Sequence, residues 1–352
     1  MADHKRILTV VGARPQFIKA AVLSRFLKSQ NRLEEDILHT GQHYDKNMSA
    51  VFFEELGIPE PKFNLEIQGG SHGQMTGRML EGIEKVLLEN SYDALLVYGD
   101  TNSTLAGALA AQKIGLPVIH VEAGLRSFNM QMPEEVNRIL TDRLASLCCC
   151  PTSKAVENLK KEGFEEDKMV LTGDIMKDAV RYFSTNDKVE TNHILVTIHR
   201  QENTDDKERL TAIFKALDDI GELYNLVFPI HPRTRKIVQE LDLVSKIRFI
   251  DPVSYGEMQN LIAQSQLVIT DSGGLQKEAY FHGKRVLVLR DETEWTELVD
   301  HGYALLAGAD FNAIKENFAT LIDQGPITDK SLYGNAVVEN IYDAILDCLW
   351  ES

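Results

Sequence analysis

Leu95-Leu96-Val97-Tyr98-Gly99-Asp100 and, one helix-length segment later, Pro117-Val118-Ile119-His120-Val121-Glu122 decide how this chain folds. Each is an apolar run that stops on a carboxylate. With Ser103–Ile114 between them, the two runs predict neighbouring parallel strands that carry Asp100 and Glu122 to the same edge of one sheet. Open α/β sheets bind ligands at the carboxyl ends of their strands, so two acids arriving there point to proton-transfer chemistry. The bland alternative is that both cap the helices that follow.

The same alternation extends in both directions. Arg6–Val11 reads as a strand, broken by Gly12 before the helical spacing of Gln16–Ser29. The turn Gly12-Ala13-Arg14-Pro15, with Lys19 close behind, sets two cations beside a helix N-terminus, where free N–H groups and the helix dipole attract anions. Glu35–Thr40 and Lys62–Ile67 read as strands, and Asn47–Leu56 and Gln74–Leu88 as helices. Glu134–Leu144 reads as a helix and Ser146–Pro151 as a strand. No Gly-x-Gly-x-x-Gly follows the first strand, so a dinucleotide fingerprint is absent. Between Ala123 and Pro133 the rhythm fails, and irregular loops at strand ends are often functional. Pro133 suits a helix start, so Glu134 reads either as a complement to the helix dipole or as a site residue.

Ser184–Asn192 is polar at all but one position and marks a domain boundary. Beyond it strands are expected at His193–His199, Leu226–His231, Ile247–Asp251, Leu267–Asp271 and Arg285–Arg290, with helices between. The fold class is therefore α/β: two Rossmann-like domains with parallel sheets facing a central cleft. The expected divisions are 1–183, 184–332 and a closing segment 333–352.

Bulk properties narrow the function. A net charge of -16 over 352 residues, without a long Lys/Arg run, excludes a nucleic-acid binder. No run approaches the ~20 apolar residues of a membrane helix, and no signal peptide is evident, so a cytoplasmic address is expected. Cys148, Cys149 and Cys150 alternate faces if they lie in a strand and cannot converge on one metal ion; they read as buried strand residues. No metal site is expected from them.

Four clusters fall at predicted strand ends in the second half: His199-Arg200, His231-Pro232-Arg233, Asp271-Ser272-Gly273-Gly274, and Arg290 with Thr293-Glu294-Trp295. Ser-Gly-Gly before a helix lets backbone N–H groups approach a diphosphate. Glu278, one turn in, can accept both hydroxyls of a ribose. Together with Arg14, these clusters point to a nucleotide-diphosphate ligand.

Gly12–Lys19, Gly99-Asp100-Thr101, His120–Arg126, Pro133-Glu134-Glu135, His199-Arg200 and Thr270–Gly274 together resemble the non-hydrolysing UDP-N-acetylglucosamine 2-epimerases, in the right order and over nearly the whole chain. Gln42–Asp45, Gly69–Thr76, Ser127–Met130 and Thr293-Glu294-Trp295 resemble the branch acting on UDP-2,3-diacetamido-2,3-dideoxy-glucuronate. The resemblance implies a glycosyltransferase-B type fold, a final helix near Ala336–Trp350 crossing back to the first domain, a homodimer, a UDP-linked acetamido sugar as substrate and a role in surface polysaccharide synthesis. It implies catalytic roles for Asp100, Glu122, Glu134, His199 and Lys19. Substrate binding falls to Arg14, His43, Arg138, Arg200, Tyr255, Ser272, Gly273, Gly274, Glu278 and Arg290.

The alternatives are UDP-N-acetylglucosamine itself as substrate, a hydrolysing 2-epimerase, a retaining UDP-sugar glycosyltransferase and a non-catalytic sensor. Two departures bear on the substrate. Trp295-Thr296 stands where the ordinary enzymes have Arg-Pro, which reads as an apolar plate for a 3-acetamido group. Tyr44 after Gln42-His43, and Gln68-Gly69-Gly70 in a later loop, replace the basic residues with which many ordinary bacterial members hold an activating second substrate, so such activation is not expected here.

Overall fold

The apolar runs form two fully parallel sheets in a computed structural model that describes residues 4–42, 57–184, 192–241, 243 and 246–350. Contacts divide the chain into two compact units, one ending at Tyr182 and resuming at Tyr333, the other running from Phe183 to Leu332.

The first unit carries β1 (Lys5–Val11), α1 (Arg14–Ser29), β2 (Leu33–His39), β3 (Phe63–Asn64), α2 (His72–Glu89), β4 (Ala94–Tyr98), α3 (Asn102–Lys113), β5 (Val118–Val121), α4 (Pro133–Leu144), β6 (Leu147–Cys150), α5 (Ser153–Lys161), β7 (Met169–Leu171) and α6 (Ile175–Phe183). Its sheet runs β3-β2-β1-β4-β5-β6-β7. The second unit carries β8 (His193–Thr197), α7 (Gln201–Thr204), α8 (Lys207–Gly221), β9 (Asn225–Pro229), α9 (Pro232–Glu240), β10 (Arg248–Ile250), α10 (Tyr255–Gln264), β11 (Ser265–Thr270), α11 (Gly273–Phe281), β12 (Arg285–Val288), α12 (Thr296–Asp300), β13 (Ala304–Leu306) and α13 (Phe311–Asp323). Its sheet runs β10-β9-β8-β11-β12-β13. The last helix, α14 (Val337–Trp350), belongs to the first unit, where the Tyr342 ring meets Phe26 of α1 edge-on at 5.4 Å.

Both sheets thus have the doubly wound order in which successive strands run outward one way and then return to the other side of the first. That reversal lies between β1 and β4 in one sheet and between β8 and β11 in the other. The loops leaving those strands diverge and open a crevice. They are Gly12-Ala13 and Gly99-Asp100 in the first unit, and Ile198-His199 and Asp271-Ser272 in the second.

The strands are apolar throughout because helices cover both faces; all five residues of β4 are completely buried. Small residues let α3 lie close on that sheet, and a Cβ on Gly107 would sit 3.2 Å from Val97 Cγ1. The Thr101 hydroxyl caps α3 by accepting from the Thr104 N–H at 3.3 Å, so the chain turns into a helix directly after Asp100.

Several expectations need adjustment. The short strands β7 and β13 extend the sheets beyond the strands predicted from sequence. The strands at Lys62–Ile67 and Pro117–Ala123 contract to β3 and β5. The helix expected at Asn47–Leu56, with His43, Tyr44 and Asp45, lies outside the described residues, as does most of the polar Ser184–Asn192 segment. Cys148, Cys149 and Cys150 are buried in β6, and burial raises all three thiols far above the ordinary range. Among the described residues no His/Cys/Asp/Glu group has a metal-binding arrangement, and no helix is long and apolar enough to cross a membrane.

Candidate active site

In the first unit, the crevice is stapled by a residue the sequence reading passed over. Gln16, on the first turn of α1, is buried; its Oε1 accepts from the Gly12 and Ala13 N–H groups at 2.8 and 3.0 Å. Its Nε2 donates to the Tyr98 carbonyl at 2.8 Å. One amide therefore joins the ends of β1 and β4. Gly12 has no room for a side chain, because a Cβ would overlap the hydroxyls of Ser103 and Thr40. The clue was a lone Gln four residues after a turn glycine.

Both opening carboxylates are held by cations. The Lys19 ammonium pairs with Glu122, and their side chains are 9% and 12% exposed. The Arg138 guanidinium, on α4, pairs with Asp100 and also with Glu135 at 2.9 Å. Burial works against the Arg138 charge, but Asp100, then Glu135 and Glu122, raise its pKa further. The turn that carries Asp100 is tight: Gly99 has φ +62°, and a Cβ there would lie 3.3 Å from Glu122 Oε2 and 3.6 Å from Lys19 Nζ. Glu122 itself has φ 74°, in the left-handed region that side chains avoid. Its N–H and that of Ala123 both donate to the Cys149 carbonyl at 3.1 Å, which holds the turn.

His120, two residues before Glu122, is completely buried and ties the three elements together. Its Nε2 lies 2.7 Å from the Gly99 carbonyl, which can only accept, so Nε2 is the donor. Its Nδ1 lies 2.7 Å from Asp142 on α4. Asp142 also accepts from Arg126 at 2.6 Å, and Arg126 continues to Glu162 at 2.7 Å. A histidine inside an apolar strand was the sequence signal for this chain of contacts.

The adjacent acids of α4 divide their work. Glu135 is fully buried; its carboxylate accepts from the Ser127 N–H and hydroxyl and from the Phe128 N–H, each at 2.9 Å. Burial opposes its charge, but those donors and Arg138 hold its pKa below the usual range. Glu135 thus anchors the irregular loop. Glu134 is exposed in the first helical turn, and among the described residues it makes no ion pair. Arg14 is exposed at the start of α1.

The second unit builds its crevice around Asp271, which is completely buried. Its carboxylate accepts from the His199 N–H at 3.1 Å, the Arg200 N–H at 3.0 Å and the Asn203 amide at 3.2 Å. Burial would raise its pKa, yet the His199 ring, 3.2 Å away, and these donors hold it below the usual range. The His199 side chain remains 56% exposed. Ser272 caps α11, its hydroxyl accepting from the Leu275 N–H at 3.4 Å. Gly273 and Gly274 follow as the first two helical residues, whose N–H groups have no acceptor within the helix. Space above Gly274 is open, whereas a Cβ on Gly273 would strike Glu294. Glu278 sits one turn further, 8% exposed.

One expectation changes here, and two expected binding residues prove to be buried. Trp295 is not an open plate: it is 7% exposed, its indole N–H donates to the Gly273 carbonyl at 2.9 Å, and the Lys277 ammonium lies 3.8 Å from its ring centroid. Any influence it has on substrate choice passes through the Gly273 turn. Arg290 is buried against Glu294 at 2.7 Å. Tyr255 is buried, its ring edge-on to Phe183 at 5.4 Å.

Two doubly wound sheets, one with cation-paired acids at its reversal point and one with a Ser-Gly-Gly helix start and a following Glu, define a nucleotide-sugar enzyme of the glycosyltransferase-B type. Comparison with known proteins places it further. A family model described as UDP-N-acetylglucosamine 2-epimerase matches residues 25–346, and the chain belongs to that family of isomerases. It is 52% identical over 338 residues to the UDP-2,3-diacetamido-2,3-dideoxy-D-glucuronate 2-epimerase of Pseudomonas aeruginosa, covering 94% of this chain and 96% of that protein. The Methanocaldococcus jannaschii UDP-GlcNAc 2-epimerase, solved with UDP-GlcNAc and UDP, superposes with a TM-score of 0.81 at 39% identity, covering 97% of this chain and 99% of that one. The Neisseria meningitidis UDP-GlcNAc 2-epimerase, solved with UDP-GlcNAc, gives a TM-score of 0.85 at 30% identity, covering 97% and 100%.

Proposed function

We propose that this enzyme inverts C2 of a UDP-linked 2-acetamido sugar by eliminating and re-adding UDP, and that its substrate is UDP-2,3-diacetamido-2,3-dideoxy-glucuronate. The observation that carries the reaction is the pair of carboxylates, Asp100 and Glu122, each fixed by a cation at the reversal point of the first sheet. The choice of sugar is supported by the 52% identity to the Pseudomonas aeruginosa enzyme.

C2 of such a sugar has no neighbouring carbonyl to acidify its hydrogen. Breaking the C1–O bond makes it removable. As the bonding pair leaves with UDP, C1 gains positive character and a carboxylate takes the C2 proton, leaving a C1–C2 double bond. A carboxylic acid then delivers a proton to the opposite face of C2 while a UDP oxygen attacks C1. Asp100, Glu122 and Glu134 supply these acids and bases, a group effect typically worth ~10²–10⁴ in rate for each positioned residue. Lys19 and Arg138 fix where two of them sit.

The departing diphosphate needs preorganised donors. The Gly273 and Gly274 N–H groups and Ser272 at the positive end of α11 serve it, with Arg14 and Arg200 as cations, His199 as a further polar contact, Arg290 setting the loop beside them, and Glu278 taking the ribose. His43, outside the described residues, is a candidate for nearby support from the first unit. Homodimeric assembly, a cytoplasmic address and a place in surface polysaccharide synthesis rest on the family resemblance.

A second reading, UDP-N-acetylglucosamine as substrate, is favoured by the two solved enzymes that carry that sugar nucleotide. Incubating each sugar nucleotide with the enzyme in deuterated water decides between them. The expected product is a UDP-linked epimer deuterated at C2, formed from the diacetamido uronate. No deuterium from either substrate would reject the reaction, and release of stoichiometric free UDP with free sugar would replace it by hydrolysis.

A further inference from the structure

Glu278 and His282 stand one turn apart on α11 and its C-terminal cap, where side chains at this spacing share a helix face. Gln259 of α10 spans them. Its Nε2 donates to Glu278 Oε2 at 2.8 Å, and its Oε1 lies 3.0 Å from His282 Nε2. Gln259 is completely buried.

The hydrogens in this chain follow from what each group can do. An amide has one end that only donates and one that only accepts. Turned the other way, Gln259 would set its oxygen against a carboxylate, two acceptors with no proton between them. The contact therefore requires His282 to donate from Nε2, and that donation fixes which way the amide points. Burial, then the nearby Lys330 and Lys284 charges, push the His282 pKa down to about 4, so the ring is neutral and the Nε2–H is a matter of tautomer.

We propose that His282 and Gln259 are positioning residues for ribose recognition: a neutral relay that clamps one oxygen of Glu278 and so sets the orientation in which its carboxylate meets the ribose diol. The proposal rests on the reading of Glu278 as the ribose acceptor. A Lys or Arg in place of Gln259 would also hold the carboxylate, but it would draw off the negative charge that strengthens hydrogen bonds from the hydroxyls. A neutral amide holds the group without adding a charge of its own. Packing α10 against α11 alone needs no polar bridge, and an apolar residue would fill the space of Gln259 without leaving a donor to satisfy.

The test compares UDP with 2′,3′-dideoxy-UDP by calorimetry on wild type, Gln259→Leu and His282→Leu. The wild type is expected to prefer UDP by ~10-fold or more, as hydrogen bonds to a charged acceptor allow. In both variants that preference falls below ~3-fold while dideoxy-UDP binds as before. Because both ligands are measured on one preparation, any loss of folded protein cancels in the ratio. His282→Gln, which keeps an N–H donor, restores part of the preference. An unchanged ratio in both leucine variants overturns the relay, as does an equal loss of both ligands. A wild type that fails to distinguish the ligands removes the ribose role of Glu278 itself, a separate result.

Discussion

The two units share one topology and hold their functional groups in opposite ways. At the reversal point of the first, the side chains come as ions in contact: Lys19 with Glu122, Arg138 with Asp100, and Glu162 with Arg126 and Asp142 in series, the Asp142 carboxylate also meeting the His120 ring. At the reversal point of the second, one buried carboxylate, Asp271, is satisfied mainly by N–H groups, and the groups the proposed function offers to a ligand are main-chain amides, His199, Arg200 and a Glu278 carboxylate held by a neutral amide. On the proposed function, the difference follows from the work. Moving a proton at C2 takes titratable groups on both faces of a sugar, whereas gripping a diphosphate and a ribose takes fixed donors and acceptors that stay as they are throughout.

Substituting an acid of the first unit should break the comparison most visibly. Glu122→Gln is expected to lower kcat by ~10²–10⁴ while UDP binds within threefold of wild type. A matching loss of UDP affinity in calorimetry would mean that the units do not divide the labour. The complementary change, Asp271→Ala, removes the acceptor for three N–H groups in the second unit. It should cost about 3 kcal/mol of unfolding free energy, since each buried donor left unsatisfied costs ~1–3 kcal/mol. An unfolding midpoint unchanged in denaturant would show that Asp271 does not organise that crevice.

A third substitution asks whether ionic demand in the first unit extends away from the crevice. Glu35 on β2 accepts from Thr9 Oγ1 at 2.5 Å, and burial pushes its pKa up to about 7, with Ser24 and Thr9 opposing. A carboxyl raised in the folded state binds its proton more tightly than in the unfolded chain. Stability therefore falls as pH rises from about 4.5 to about 7 and is level above. Glu35→Gln should stabilise the protein by about 3 kcal/mol at pH 8 and by little at pH 4.5, read from urea unfolding at the two pH values. A gain of equal size at both would refute the assignment.

The smallest effect belongs to Gly274. With open space above it and no positive φ, Gly274→Ala should leave folding within ~1 kcal/mol, since alanine suits a helix better than glycine. The added methyl should still weaken UDP several-fold by standing over the amide. UDP affinity equal to wild type would show that the diphosphate does not approach this turn.

The architecture was legible in the sequence because strands buried on both faces leave long apolar runs, and each run here ended on a polar or glycine turn. The three-residue edge strands β7 and β13 were not, since so short a segment carries no periodicity to read. The acids were visible as residues, but their partners were not: Lys19 and Glu122 lie 103 positions apart, and Arg138 and Asp100 lie 38 apart. Glu134 and Glu135 look alike in sequence and differ only in that one faces solvent and the other anchors a loop. Trp295 was misjudged because composition tells what a side chain is made of and not which carbonyl its N–H reaches.

Glu122 sits in a backbone conformation that costs a side-chain residue of order 1 kcal/mol and that glycine adopts freely. Glycine there would relieve that strain but leave the Lys19 ammonium, 9% exposed, without its carboxylate, and that costs more, so a laboratory selection for heat resistance alone would keep Glu122. The strained dihedral is tolerated because the ion pair it makes possible outweighs it.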